Sequence, residues 1–232
     1  SYGYDEFGRN NNTIATIPGK GTETTTTVYD ANGRIIEETD KSGRKMKYTY
    51  DKMGRVTSKT IIYGNEQRTT TTTYGYMDNF YIIVGNGTNK RIPTVYVVTE
   101  KNTNNEVVSS VYTDAYGQKV REESNGICKD YTYDRQGNVF TTYTRGVSGT
   151  NPIAPKLTVT VYDKYGRLTN TIENPIYRNG AFTVDATQSI VKTNKYNENG
   201  NLIEETDGKG NKTIYEYNEE GKLIKVKLSD GT

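Results

Sequence analysis

The residue types that could do chemistry in this chain are carboxylates, tyrosines and basic side chains, because histidine is absent and Cys128 is the only cysteine. The commonest general base is therefore missing, and zinc sites and thiol triads are excluded. Two carboxylates could still act as the acid and the nucleophile of a glycosidase. A tyrosine beside an arginine or lysine could serve as the base of a polysaccharide lyase, which remains a remote alternative.

The positions of the carboxylates argue against catalysis. Six aspartates each begin a glycine-containing turn, where an aspartate caps backbone amides. The pairs Glu37-Glu38 and Glu204-Glu205 lie on predicted strands, whose alternation sends neighbours to opposite faces. No segment has the acidic spacing of a calcium loop. We therefore predict a protein that is not an enzyme, with no catalytic residue, metal or cofactor. The six aspartates are Asp5, Asp30, Asp40, Asp51, Asp134 and Asp163.

These aspartates belong to a recurring unit, Tyr-Asp-x-x-Gly-Arg, followed by an aliphatic residue. Asp or Asn at the first turn position accepts hydrogen bonds from amides further along, and Gly at the fourth takes a left-handed conformation before the chain re-enters a strand. The unit predicts a corner between two β-strands. It begins at Tyr4, Tyr29, Tyr50, Tyr133 and Tyr162, and in a form with Asn at Tyr196 and Tyr217.

The spacing of the corners predicts an array of hairpins. Tyr29 and Tyr50 are 21 residues apart, as are Tyr196 and Tyr217, and a second glycine turn lies midway in each interval. Turns every ten or eleven residues leave about six or seven residues for each strand. A fixed period of this kind is typical of a stacked repeat protein.

The predicted fold is all-β: antiparallel hairpin repeats that form one continuous curved or spiralling sheet over residues 1–232, without a domain boundary. Regular repeats are expected at about 1–60, 113–145 and 160–232, longer inserted hairpins at about 61–111, and a Pro/Gly loop at about 146–158. The strands expected in the insert are Arg68–Tyr76, Phe80–Val84, Arg91–Glu100 and Glu106–Val111.

Period-two alternation singles out six tyrosines as candidate ligand-binding residues. Each strand places two of them on one face, so we expect rows of tyrosines across the sheet. Such rows are interpreted first as structural packing. The alternative is an aromatic surface for a glycan, a cell-wall polymer or a peptide. The six are Tyr48, Tyr50, Tyr131, Tyr133, Tyr215 and Tyr217.

The composition limits the classes of partner that the chain is expected to bind. With 30 basic and 28 acidic residues and a net charge of +2, no basic stripe is available for nucleic acid. No stretch is long enough for membrane insertion. A thick dry core is not expected, and Cys128 is expected to be an inert, half-buried strand residue. The chain has no signal peptide and opens at Ser1 without a methionine, which suggests a segment of a longer protein.

Seven near-complete Tyr-Asp-x-x-Gly-Arg corners make the chain resemble the YD-repeat or Rhs-repeat family, over all but about 61–111 and 146–158. Bacterial Rhs and wall-associated polymorphic toxins, shell subunits of toxin complexes and teneurins belong to it. The resemblance implies a shell-like β-ribbon, a bacterial secreted or cell-surface location, and neighbouring repeats and a C-terminal effector as partners. The family's Asp-Pro-x-Gly closing element is absent, so part of a shell is expected.

We therefore expect a scaffold segment that builds a β-shell or stalk to house or display a toxin. The alternative is a carbohydrate- or cell-wall-binding adhesion module. Unpaired sheet edges predict some edge-to-edge self-association.

Overall fold

A computed structural model describes residues 1–19, 21–85, 87–147, 154–178 and 181–229, without the side chain of Arg178. The predicted all-β array of antiparallel hairpins is confirmed, and the described residues contain no helix. Their strands are β1 Tyr2–Tyr4, β2 Asn10–Ile17, β3 Gly21–Tyr29, β4 Ile35–Thr39, β5 Lys45–Tyr50, β6 Val56–Tyr63, β7 Glu66–Gly85, β8 Thr88–Lys101, β9 Val107–Thr113, β10 Lys119–Ser124, β11 Ile127–Tyr133, β12 Val139–Gly146, β13 Lys156–Tyr162, β14 Leu168–Glu173, β15 Ile176–Arg178, β16 Ala181–Thr183, β17 Ile190–Tyr196, β18 Leu202–Thr206, β19 Lys212–Tyr217 and β20 Leu223–Leu228.

Most strands pair antiparallel with the strand that follows them in the chain, but β14 pairs with β17. Within the described residues, eighteen strands form one sheet, and β15 and β16 form a separate two-stranded sheet. Because successive strands reverse direction, the Tyr-Asp corners of a regular stretch lie on one edge and the intervening glycine turns on the other. The corners before β2, β4 and β6 share an edge in this way.

Each Tyr-Asp corner also contains a β-bulge that the sequence pattern did not reveal. Tyr50 pairs with Val56 while Thr49 pairs with Ser58, so one residue on the returning strand has no opposite partner. The same skip occurs at all seven corners. A bulge re-aims the side chains that follow a turn.

The inserted hairpin, which consists of β7 and β8, differs from the strands that we predicted from the sequence. We predicted a break between Tyr76 and Phe80, but β7 runs unbroken from Glu66 to Gly85. Asn79 carries the irregularity with a positive φ of 53°. The neighbouring strand supplies partners for the polar side chains, since Thr94 Oγ1 donates to Asp78 at 2.6 Å and Arg91 Nε donates to Asn79 at 2.9 Å.

The Pro/Gly loop is shorter than predicted at its far end. We placed the loop at about 146–158, but β13 already begins at Lys156. Residues 148–153 of the predicted loop lie outside the described residues.

The chain divides into two compact units, and they differ in how they bury apolar residues. Unit 1 comprises Ser1–Gly75 and Val97–Ser110, and unit 2 comprises Tyr76–Tyr96 and Val111–Thr232. Every buried hydrophobic side chain among the described residues belongs to unit 2. Unit 1 is therefore held by its backbone ladder and its polar contacts. The buried residues of unit 2 are Phe80, Ile82, Ile92, Val95, Val120, Cys128, Leu157 and Val159.

A buried carboxylate ties the inserted hairpin to the sheet inside unit 2. Asp130 is 1% exposed and accepts the backbone N–H of Ile83 at 3.0 Å. Arg121 donates to Asp130 from Nε at 2.5 Å and from Nη2 at 3.1 Å, and its Nη2 also donates to the carbonyl of Tyr81 at 2.9 Å. The guanidinium lies over the ring of Phe80. One ion pair thus connects the hairpin to strands β10 and β11.

Cys128 lies in this core with no exposed surface, so the expectation that it is half-buried was wrong. Burial, together with the nearby charge of Asp130, raises the pKa of the Cys128 thiol to about 11. The thiol therefore stays protonated at neutral pH, as an inert residue would.

Candidate functional site: the Tyr-Asp corners

Each corner is built around the aspartate or asparagine that opens it. Asp30 Oδ1 accepts the backbone N–H groups of Asn32 and Arg34, both at 2.9 Å, and Oδ2 accepts Nε of Arg34 at 2.7 Å. Gly33 has a φ of 80°, which glycine adopts without strain. The backbone N–H of Arg34 is the main cause that lowers the pKa of Asp30. The carboxylate is therefore fully occupied in the turn, which agrees with its predicted capping role.

The arginine that closes a corner reaches the next corner along the same edge. The Arg34 guanidinium lies 4.6 Å from the ring centroid of Tyr50, and its Nη1 donates to the carbonyl of Asp51 at 3.4 Å. In return, the hydroxyl of Tyr50 donates to the carbonyl of Ile35 at 2.6 Å. We call this reciprocal pair of contacts a corner lock.

The corner lock recurs in both units. The arginine-to-ring distance lies between 4.2 and 4.7 Å in each case, and the hydroxyl always donates to the residue after the arginine. A cation–π contact of this kind adds about 0.5–1 kcal/mol at an exposed site. The four pairs are Arg9–Tyr29, Arg34–Tyr50, Arg55–Tyr74 and Arg167–Tyr196.

Sequence reasoning missed the role of the arginine, although a signal was present. Each corner that keeps Arg at its fifth position has a partner tyrosine on a later strand. This tyrosine ends its strand at Tyr29, Tyr50 and Tyr196 but lies inside β7 at Tyr74. Tyr133 and Tyr217 retain the hydroxyl bond even though Gln118 and Asn201 replace the arginine. The tyrosine hydroxyl is thus the more general half of the lock.

The six candidate tyrosines occupy two kinds of position on β5, β11 and β19, and all six are half-buried. The last tyrosine of each strand bonds a backbone carbonyl. The tyrosine two residues earlier donates to a glutamate, as Tyr48 does to Glu38 at 3.0 Å. Within the described residues, no ring contact joins two of these six tyrosines. Tyr131 and Tyr215 donate to Glu122 and Glu205.

Glutamates held between two lysines form a second repeated arrangement on the sheet faces. Glu173 lies 2.8 Å from Nζ of Lys156 and 3.2 Å from Nζ of Lys192. Each such triad carries one net positive charge. The four triads centre on Glu37, Glu122, Glu173 and Glu204, and their lysines are Lys45 and Lys47, Lys119 and Lys129, Lys156 and Lys192, and Lys195 and Lys212.

These triads predict a loss of stability in acid. Burial acts to raise the pKa of Glu122, but hydrogen bonds from Lys119 and Tyr131 outweigh it and lower the pKa to about 2, from an ordinary value of 4.5. The charged form is favoured in the folded protein, so its contribution is present above about pH 4.5 and is lost as pH falls toward 2. The free energy of unfolding, measured in urea across this range, should fall less steeply with decreasing pH for Glu122→Gln than for the parent chain. Parallel profiles would contradict the prediction, and Glu6→Gln on an exposed turn serves as the control.

A cleft beside the first corner carries an exposed aromatic ring. It encloses about 510 Å³ and is lined by residues of the first two corners, including Glu6, Phe7 and Asn11. The Arg9 guanidinium lies between the rings of Phe7 and Tyr29, at 4.9 and 4.6 Å. Phe7 remains 69% exposed. The same sandwich recurs around Arg167, between Tyr165 and Tyr196.

The described part of the chain holds no cluster of three or more His, Cys, Asp or Glu residues arranged to bind a metal ion. It also contains no helix of the length and hydrophobicity needed to span a membrane.

A sequence-family profile described as RHS Repeat matches residues 29–66 and 196–232, which include corners with the geometry described above. These two segments are Rhs, or YD, repeats. The recognition made from the sequence is confirmed, and the Rhs repeats form a structural scaffold of locked corners. No curated protein matches this chain.

Solved structures share this fold. A crystal structure of TcdB2-TccC3-Cdc42 is 16% identical, with a TM-score of 0.53, and the match covers 97% of this chain and 11% of that chain. The Tc holotoxin pore of Photorhabdus luminescens is 16% identical, with a TM-score of 0.51, over 95% of this chain and 10% of that chain. The chain thus spans about a tenth of the length of the structures it matches.

The corner lock of the Rhs repeat can be tested at Tyr50. Replacing Tyr50 by Phe removes the hydroxyl but keeps the ring under Arg34, so it should lower the free energy of unfolding by about 1 kcal/mol. Chemical unfolding followed by circular dichroism would measure the loss. Tyr63→Phe is the matched control, because Tyr63 is 60% exposed and no hydrogen bond of its hydroxyl occurs among the described residues. An equal effect of both changes would contradict the lock.

Proposed function

We propose that this chain is a non-enzymatic scaffold segment of a large bacterial protein that is secreted or displayed on the cell surface. Its repeats would build part of the wall of a β-shell or a stalk, and that wall would house or display an effector. Its partners would be the neighbouring repeats of the same protein and this effector.

The observation that carries the proposal is the repeated corner lock. It adds strands one after another with the same arginine, tyrosine and carbonyl contacts, so the sheet can grow without a thick core. Unit 1 illustrates this, because no hydrophobic side chain of its described residues is fully buried. A sheet with polar contacts on both faces is suited to separate two aqueous spaces. The Tc structures support the fold alone.

The proposal is tested by finding the native polypeptide. An antibody raised against this chain would be used to probe the culture medium, the surface fraction and the cytosol of the source bacterium. We expect a polypeptide several times larger than 26.1 kDa in the medium or at the surface. A species of 26 kDa confined to the cytosol would contradict the proposal.

The second candidate function is glycan binding, and the cleft beside Phe7 favours it. A flat, exposed aromatic ring provides a stacking surface for the C–H face of a sugar, and the carboxylate of Glu6 and the amide of Asn11 provide hydrogen-bonding groups nearby. The turn itself does not require an aromatic residue there, since Asn32 occupies the same position in the next corner.

Glycan binding is tested with an array of bacterial cell-wall and host glycans. Phe7→Ala should abolish binding while leaving the fold intact, because the ring is on the surface. Tyr48→Ala is the comparison, and a loss of binding there without loss of folding would move the site to the sheet face. Absence of any binding would remove this candidate.

A further inference from the structure

An arginine also closes one of the intervening glycine turns, residues 40–44 between β4 and β5. Asp40 accepts the backbone N–H of Ser42 and Nε of Arg44, both at 2.9 Å, as the aspartates of the Tyr-Asp corners do. The hydroxyl of Ser42 is the main cause that lowers the pKa of Asp40 to about 2. In a corner lock the arginine lies over a tyrosine ring, but within the described residues no aromatic ring lies over Arg44.

The next turn on the same edge is residues 63–66 between β6 and β7, and a cleft of about 390 Å³ is lined by residues of both turns. Paired chain continues on each side of it, since β4 pairs with β3, and Thr69 of β7 donates its N–H to Thr103 at 2.8 Å. The cleft is therefore formed within unit 1 by the turns themselves. Its lining residues are Ser42, Arg44, Ile61, Tyr63, Glu66 and Arg68.

Two arginines border the cleft with hydrogen-bonding capacity to spare. Arg68 donates from Nη2 to Glu66 over a long 3.5 Å, and its side chain is 83% exposed. Arg44 donates from Nε to Asp40 and has no other ion pair among the described residues. A guanidinium carries several N–H donors in a planar fork that matches a carboxylate. Both arginines can therefore donate to a carboxylate group in the cleft.

The rest of the lining suits a hydroxylated ring. Tyr63 is 60% exposed and lines the cleft together with Ile61, and the C–H face of a pyranose stacks on such an aromatic surface. Ser42 and Glu66 supply oxygen atoms that accept hydrogen bonds from sugar hydroxyls. Ile61 is the one aliphatic residue of this lining, so an aromatic carboxylate would find little apolar cover. A ring that carries both hydroxyls and a carboxylate matches the cleft best.

We propose that this cleft binds a uronate residue of an acidic polysaccharide. The carboxylate of the uronate would accept hydrogen bonds from Arg44 and Arg68, and its ring would stack on Tyr63. The cleft lies on the opposite edge of unit 1 from the cleft beside Phe7, so it is a separate site. The proposal does not depend on the scaffold function, because these side chains take no part in a corner lock.

The probes are short oligosaccharides of galacturonate, glucuronate and guluronate, whose binding to the intact chain is measured by isothermal titration calorimetry. The methyl ester of each is the matched control, because it keeps the ring and the hydroxyls but loses the charge. Benzoate is the control for an aromatic carboxylate. We expect at least one oligouronate to bind about tenfold more tightly than its ester, and this preference to weaken with salt.

Variants of the lining residues make the test specific. Arg68→Gln should weaken the binding of the acidic oligosaccharide about tenfold and leave that of its ester unchanged. Arg135→Gln removes the same charge from an exposed turn of unit 2 and should have no effect. Tyr63→Ala should weaken the binding of both ligands, whereas Tyr63→Phe keeps the stacking ring and should not.

Glu66 provides an independent check, because its carboxylate would compete with the ligand for Arg68. Glu66→Gln keeps an acceptor for sugar hydroxyls but removes this competition. The acidic oligosaccharide should therefore bind several-fold more tightly to this variant, and its ester should bind as before. Each substituted side chain is exposed, so the circular dichroism spectrum should not change.

Failure of every oligouronate to bind, equal binding of acid and ester, or a preference unchanged by Arg68→Gln would each overturn the proposal. Tighter binding of benzoate than of any oligouronate would also overturn it. Binding that Phe7→Ala abolishes and Arg68→Gln leaves intact would place the ligand in the cleft beside Phe7 instead. None of these results changes the size or location of the native polypeptide, so the scaffold proposal is tested separately.

Discussion

Replacing Asp130 by alanine should lower the free energy of unfolding by about 3–5 kcal/mol, because it removes the nearest carboxylate partner of the buried Arg121. Arg121 is mostly buried and directs two nitrogen atoms at this carboxylate. The backbone N–H of Ile83 would also lose its acceptor. The change removes the ion pair that ties the inserted hairpin to β10 and β11.

Urea unfolding followed by circular dichroism measures this loss as a fall in the midpoint. Asp130→Asn keeps an acceptor but not the charge, so it should be intermediate. Asp78→Ala is the matched control on the same hairpin, because Asp78 is exposed and accepts from Thr94. A loss at Asp130 no larger than that at Asp78 would show that the ion pair does not hold the hairpin.

Truncation of Ile82 to alanine should cost about 2–5 kcal/mol, the range measured for buried aliphatic side chains. Ile82 is 1% exposed and lies in the small core of unit 2. The cost includes both the lost burial and the cavity that remains, since the surrounding β-sheet cannot collapse freely. Thermal and urea unfolding would both report the change.

The comparison for Ile82 is Ile224→Ala on the exposed strand β20. The same chemical change on the surface should alter the free energy of unfolding by less than about 0.5 kcal/mol. Similar losses at both positions would mean that the hairpin does not form a dry core against the sheet.

The local pattern of this sequence was sufficient to predict the repeated corner. An aspartate that caps a turn and a glycine that takes a positive φ act through residues within four positions, so Asp30 and Gly33 could be assigned from the sequence. Strand alternation likewise identified which residues share a face. These features depend on short-range chemistry, and the family recognition followed from their repetition.

The candidate tyrosines show where that reasoning stopped. Alternation correctly placed Tyr48 and Tyr50 together on β5, but it could not show what each hydroxyl contacts. The partner of Tyr50 is a backbone carbonyl 15 residues earlier, and carbonyls carry no sequence signature. The β-bulge at this corner could not be predicted from the sequence either, because the additional residue of a bulge has no fixed residue type.

The sequence by itself determined the all-β class, the corners and the family, because each corner is a local structure that its own residues specify. The tertiary structure decided the corner locks, the exposed character of β20, the full burial of Cys128 and the contact of the inserted hairpin with Asp130. These depend on which strands become neighbours and on which face an insertion folds. The physical reason is that strand pairing and burial are set by contacts between residues far apart in the chain. A periodic sequence pattern predicts the repeated unit but not which strand lies at an edge of the sheet.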